Sequence, residues 1–360
     1  MEEIEMENSK ENVSSGMEQS LKDSAEQQRK LKKALLMKKV INVIPVIGMV
    51  VLAICFFAVC VTKGYDINSN LEIVIKKALI VGFLATGATF IFAIGSFDLS
   101  LGANMLVSAA LGAAIYTWTG SLILMFVACL VICVALSLLN SALASVFNLP
   151  VFVMTIAMMS VFAALSSVII SNVNPNGINT QFSRPSNPDN GVYQVIGNIW
   201  FQFFALVLFV LLCAFMFDFM KMGRRQKFIG GNPICARLTG IAPTAITVFS
   251  FCIAGIGIGL AAFFTIMQDV SISSSSGGGV GMNMMIAIVF GGMAISGGPR
   301  SKALAAFIGG FSLAFLDQFM TLLLLDSATG SAVTQIVKAV LFLTVVTALQ
   351  LSYRTKLLPR

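Results

Sequence analysis

The sequence predicts an all-α polytopic membrane protein with about ten transmembrane helices. Three observations predict it. Hydrophobic residues make up 57% of the chain and charged residues only 11%, where a soluble globular chain carries about a quarter. Mean hydropathy is +0.91. Ten apolar runs follow one another from residue 41 onward, and about 20 apolar residues suffice to cross a bilayer.

Residues 1–40 precede the first run. Residues 1–28 carry Glu2, Glu3, Glu5, Glu7, Glu11, Glu18, Asp23 and Glu26 and lack the apolar content for a core, so disorder is expected. There is no basic region followed by an apolar core, the mark of a signal peptide. Arg29, Lys30, Lys32, Lys33, Lys38 and Lys39 then stand directly before the first span, as a positive-inside anchor would.

The spans are expected near 41–62, 77–95, 99–117, 121–146, 151–171, 199–220, 244–267, 283–296, 301–323 and 333–352, followed by a short tail over 353–360. With the amino terminus inside and Lys302 counted with its adjacent loop, strict alternation places 18 of the 23 Lys and Arg on the inner side. That bias predicts both termini in the cytoplasm. Two outer loops stand out. Ser171–Asn198 is rich in Asn, Pro, Ser and Gly, and Asp269–Gly281 reads DVSISSSSGGGVG; both read as turns. The second lacks the GK[ST] ending of a phosphate loop, so any ATP would be bound by another chain.

Composition excludes several function classes. No His is present, which removes the commonest metal ligand and general base. No catalytic set and no metal site are expected. The net charge of +7 comes from cations at span ends, which argues against nucleic acid. The seven Cys lie mostly in apolar runs without a CxxC pair and read as packing residues.

Lys221–Pro243 is the polar centre of the chain. It holds Lys221, Arg224, Arg225, Lys227 and Arg237, with no acid, and a Gly230–Gly231–Asn232 turn followed by a short helix around Ala236, Arg237 and Leu238, before Gly240. A basic loop between spans belongs in the cytoplasm, where this one can dock a soluble partner.

Two spans look interrupted at matching places: GSFDLSLG (Gly95–Gly102) and GGMAISGG (Gly291–Gly298). A shift of 196 residues superposes Gly95 on Gly291, Ser100 on Ser296 and Gly102 on Gly298. Paired Gly-interrupted segments in two halves point to a solute path built from discontinuous helices; short turns between packed spans are the alternative. Asp98 within the first break is expected to cap the following helix. Asp317 and Lys338 fall inside spans, where charges tend to pair or line a wet path. Gly255 and Gly259 suit close helix packing.

The segments GFLATGATFIFAIGSFDLSLG, NLPVFVMTIAMMSV, FIGGNPICARLTGI, IAIVFGGMAISGG and QIVKAVLFL, in that order, resemble the ribose-type sugar permeases of ATP-binding-cassette importers. The resemblance covers about residues 70–352. It implies ten helices per chain in a homodimer or pseudo-dimer in the cell membrane. It implies two cytoplasmic ATPase domains that hold ATP and magnesium, and an extracellular solute-binding protein. It further implies that Gly230, Gly231, Asn232, Ala236, Arg237, Leu238 and Gly240 form a coupling helix on the ATPase. The segments with Gly95, Asp98, Ser100 and Gly102, and with Gly291, Gly292, Ser296, Gly297 and Gly298, would lie near the central passage. Related permeases carry pentoses, hexoses, a furanosyl signal or nucleosides. An ion-gradient-driven secondary transporter is the principal alternative class.

Overall fold

A computed structural model describes residues 43–147, 149–173, 179–181, 191–268, 271–273, 276–299, 301–325 and 329–354. The expected tail over 1–40 lies outside these residues. The chain divides into two units, Pro45–Gln350 and a minor one of Met1–Ile44 with Leu351–Arg360; the helical bundle is the first.

Among the described residues thirteen helices run in order: α1 Val43–Lys63, α2 Ile67–Ala93, α3 Leu101–Thr119, α4 Leu122–Val146, α5 Val151–Val173, α6 Gly191–Gly197, α7 Ile199–Phe219, α8 Lys221–Gly231, α9 Pro233–Leu238, α10 Pro243–Gln268, α11 Ser276–Phe290, α12 Leu304–Leu323 and α13 Gly330–Arg354. Among the described residues, nine are long and apolar enough to cross a membrane, and α11 is a shorter apolar helix. Every expected span therefore has a helix.

Two helices differ from expectation in their bounds. Helix α2 starts at Ile67, ten residues before the expected 77. Asp66 caps it by accepting from the Ser69 amide at 2.9 Å, and Glu72 pairs with Lys76 one turn on; these polar residues hide the first turns from a hydropathy reading. Helix α11 starts at Ser276 and runs through the glycines expected to form a flexible turn. It ends at Phe290 instead of 296, because Gly292 adopts a left-handed φ of 86° that stops a helix.

Helix α10 lies at the centre, packed on α4, α2 and α3. Glycines permit the approach. A Cβ on Gly255 would come within 2.7 Å of the Val134 Cα, and one on Gly259 within 2.8 Å of the Leu130 Cα. Close backbone contact of this kind supplies packing where the hydrophobic effect cannot. Helices α2, α3 and α10 are mostly buried, whereas no described residue of α13 beyond Gly330 is.

The connections sort to two ends. At one end, β1 (Asn179–Gln181) pairs antiparallel with β2 (Ser271–Ser273), with Thr180 opposite Ile272. That joins the two long loops expected to share a side. The breaks after α2 and α11 meet α8 and α9 at the other end.

Candidate functional site

The first break begins with a helix end. Gly95 has φ 75°; its amide donates to the Phe92 carbonyl at 2.9 Å, and the Ser96 amide to that of Ile91 at 3.3 Å. This pair of bonds around a left-handed glycine satisfies carbonyls that the helix leaves free. The second break ends its helix the same way. The Gly292 amide donates to Val289 at 2.8 Å and the Met293 amide to Ile288 at 3.3 Å.

This geometry corrects the repeat register. Gly95 matches Gly292, not Gly291, and the helices restart at Leu101 and Leu304. Seven residues separate the helices at the first break and thirteen at the second. Ser100 and Ser296, and Gly102 and Gly298, are therefore not equivalents. Ser100 is the cap of α3 and Gly102 lies in its first turn. Ser296 sits in a turn whose carbonyl faces Gly95.

The six extra residues carry Gly297–Gly298–Pro299 onto the first break. The Gly298 amide donates to the Ala93 carbonyl at 3.0 Å, satisfying one of the free carbonyls at the end of α2. A Cβ on Gly297 would overlap the Phe92 carbonyl oxygen, and one on Gly230 the Ala93 carbonyl oxygen. Gly231 lies against the Pro299 ring. Gly291 is tight for another reason: it meets the Ala305 backbone at the start of α12. Thus the end of α2, the second break and the end of α8 meet backbone to backbone.

Helix α9 rests on this junction. Asn232 accepts from the Ile234 and Cys235 amides at 3.0 and 3.1 Å, with Pro233 in the first turn and Arg237 in the last. Gly240, with φ 77°, closes the helix through its amide bond to the Arg237 carbonyl. Gly230 and Gly231 are the last residues of α8 rather than part of a turn; only Asn232 stands between the two helices. Ala236 is fully buried in a cluster with Ile94, Ile229 and Ile246, and Ile94 is the residue that ends α2. Ile234 and Leu238 point outward, 71% and 83% exposed. The short helix thus fastens its small face to the first break and presents its large apolar residues away from it.

Below the junction runs a buried polar seam. Asp98 Oδ1 accepts from the Ser100 amide at 2.8 Å and its hydroxyl at 2.6 Å. The Asn140 side chain donates to the same hydroxyl at 2.7 Å. Asn104 donates to Ser137 Oγ and the Cys133 carbonyl. Asp98 therefore orders the residue that starts α3 rather than capping the helix directly. Burial pushes its carboxyl up to about 6, against the pull of Ser100 and Asn140. Asn140, Ser137 and Asn104 escaped the sequence reading, although Ser137, Asn140, Ser141 and Ala144 mark one helical face of α4.

Towards the other end, Asp317 and Lys338 pair at 2.6 Å. Lys338 also donates to Asn283 Oδ1 at 3.3 Å. Lys77 donates to Gln318 Oε1 at 3.1 Å, and Gln318 to Asn70 Oδ1 at 2.9 Å. These contacts tie α13 to α12 and α11, and α12 to α2.

The family described as branched-chain amino acid transport system / permease component matches residues 70–348. The chain belongs to this permease family. Its relatives include the ribose import permease protein of Escherichia coli (strain K12), 24% identical over 78% of this chain and 84% of that protein. The ribose import permease protein of Bacillus subtilis (strain 168) is 26% identical over 71% of this chain and 77% of its own length. An autoinducer 2 import system permease protein of Yersinia pseudotuberculosis is 26% identical over 77% of each. No solved structure matches the chain. The permease match spans α2 to α13 and includes the junction, α9 and both breaks.

Proposed function

We propose that this permease is the membrane-spanning subunit of an ATP-binding-cassette importer for a sugar. A solute-binding protein outside the cell delivers the solute. Separate cytoplasmic ATPases hold ATP and magnesium and drive the cycle. Two such chains enclose the path, and both termini face the cytoplasm of a cell-membrane protein.

One observation carries the mechanism: Ala236 of α9 shares a buried apolar cluster with Ile94, the residue that ends α2. A displacement of α9 reaches the first break through this buried cluster, and the second break through the Gly230 and Gly298 backbones. A force delivered to Ile234 and Leu238 can therefore move both breaks together. Gly230, Gly231, Asn232, Ala236, Arg237, Leu238 and Gly240 are assigned to the ATPase contact and its support. Gly95, Asp98, Ser100, Gly102, Gly291, Gly292, Ser296, Gly297 and Gly298 are assigned to the moving breaks. The sugar reading is supported by the relatives named for ribose and autoinducer 2.

The test uses proteoliposomes holding this chain with its ATPase and binding protein. Ala236→Trp should leave ATP hydrolysis in place and reduce uptake at least about tenfold, as expected when a rigid contact is lost. Uptake by the chain alone, or unchanged uptake in the variant, would sink the proposal. Cys235, exposed on α9, offers a direct check: it should cross-link to the ATPase and react with an impermeant maleimide only from the inner side.

A further inference from the structure

Helix α8 carries a second surface that the proposed coupling does not use. Lys221, Arg224, Arg225 and Phe228 stand at i, i+3, i+4 and i+7, one stripe of the helix, and all four are exposed. Gly223, Gln226 and Ile229 on the other side are buried. The stripe faces the connection from α9 to α10, and the two border an open depression of about 410 Å³ lined by Lys221, Arg224, Arg225, Phe228, Thr239 and Ile241.

Among the described residues the charge of this pocket is uncompensated. Asp218 is the one acid between residues 191 and 268, and Lys227 takes it in an ion pair of 2.6 Å, 4.5 Å above the Phe217 ring. Among the described residues Lys221, Arg224 and Arg225 have neither an ion pair nor a hydrogen-bonded side chain. Three neighbouring cations around a concave space repel one another until an anion enters.

The setting selects the anion. Helix α7 runs directly into α8, and its end exposes Phe215, Phe219 and Met220 at 59%, 71% and 41%. Large apolar groups exposed on a spanning helix face acyl chains, so the pocket begins where that apolar column stops, at headgroup depth. Phe228 and Ile241 give it apolar walls beside the cations. Basic pockets at the inner end of spans suit anionic headgroups.

We propose that the pocket between α8 and the α9–α10 connection binds the phosphate of an anionic phospholipid, with the glycerol and upper acyl chain against Phe228 and Ile241. The bound lipid bridges α8 to Thr239 and Ile241, the residues that follow α9, and so braces the short helix. Membrane composition would then set how firmly α9 is held.

The test is thermal unfolding and native mass spectrometry of the purified full chain in a neutral detergent. Phosphatidylglycerol should raise Tm and bind at least roughly tenfold more tightly than phosphatidylcholine. Glycerol 3-phosphate at the same concentration should do neither. Arg224→Gln with Arg225→Gln should abolish the preference, and Arg237→Gln, outside the pocket, should keep it. If the double variant fails to fold, Phe228→Ala should weaken phosphatidylglycerol retention several-fold. Equal binding of both lipids, or a preference that survives the double variant, overturns the proposal. An equal shift from glycerol 3-phosphate would mark a free-phosphate site, and one from a poly-glutamate peptide an acidic protein partner; either result also overturns it.

Discussion

Two joints in this molecule are made from opposite materials. The junction of α2, α8 and the second break is backbone on backbone: Gly230, Gly297 and Gly298 leave no side chain between them and the carbonyls of Phe92 and Ala93. Helix α13 is attached by side chains. Of its described residues Phe342 alone joins the main apolar core, and the Lys338 pair with Asp317 supplies its charged contact. Backbone packed at this density transmits displacement without slack. An ion pair on long side chains lets its helix shift and re-pair. The first joint suits force transmission, and the second suits a wall that moves.

The contrast predicts a graded set of outcomes. The largest effect belongs to the junction. Gly297→Val and Gly230→Leu put carbons where carbonyl oxygens stand and leave no rotamer to escape, so each should cost more than about 4 kcal/mol and abolish yield of folded protein in detergent. Recovery of either variant with a normal Tm would erase the contrast. Next comes the ion pair. Lys338→Met or Asp317→Asn leaves one charge uncompensated at partial burial and should cost about 2–3 kcal/mol, read as a drop in Tm. The double variant should recover most of that loss, because removing both charges also removes their desolvation cost. A double variant as unstable as the sum of the singles would mean that α13 depends on packing there.

Asp98 gives a smaller effect with a defined sign. Its folded carboxyl is raised to about 6 from 3.8 by burial, so the folded state binds the proton more readily than the unfolded chain. Lowering the pH from 7 therefore relieves a cost: stability should rise by about 1 kcal/mol by pH 5, the gain completing only below the unfolded value, at about pH 3. Asp98→Asn should remove that pH dependence while still accepting from Ser100, and Asp98→Ala should lose the acceptor at about 1–3 kcal/mol. Gly95→Ala should have an effect of similar size; the nearest atom there is the Ser296 carbonyl oxygen at 3.2 Å. The cost should be about 1–2 kcal/mol for the left-handed backbone. A larger loss than at Gly297 would invert the ranking of the two glycines.

Much of this was legible. The spans could be counted because a bilayer requires long apolar runs, and Gly255 and Gly259 pointed to close packing that α4 provides. Asp317 and Lys338 were noticed as charges at depth, but their contact joins residues 21 positions apart on two helices. The start of α2 was missed because its capping and pairing residues, Asp66, Glu72 and Lys76, are the kind that hydropathy assigns to loops. The repeat register was missed by one residue at the helix ends and seven at the helix starts. A constant shift cannot represent a break that is six residues longer in one copy.

The sequence by itself determined the number and order of the apolar spans, the clustering of basic residues in their connections and the short helix after Asn232, since each depends on local hydropathy or on a neighbour a few residues away. Only the tertiary structure decided that the two breaks interlock, that Gly230 belongs to their junction and that Ala236 and Ile94 share one buried cluster. Those contacts link residues up to about two hundred positions apart, and glycine, which makes the closest of them possible, marks its place by the absence of a side chain.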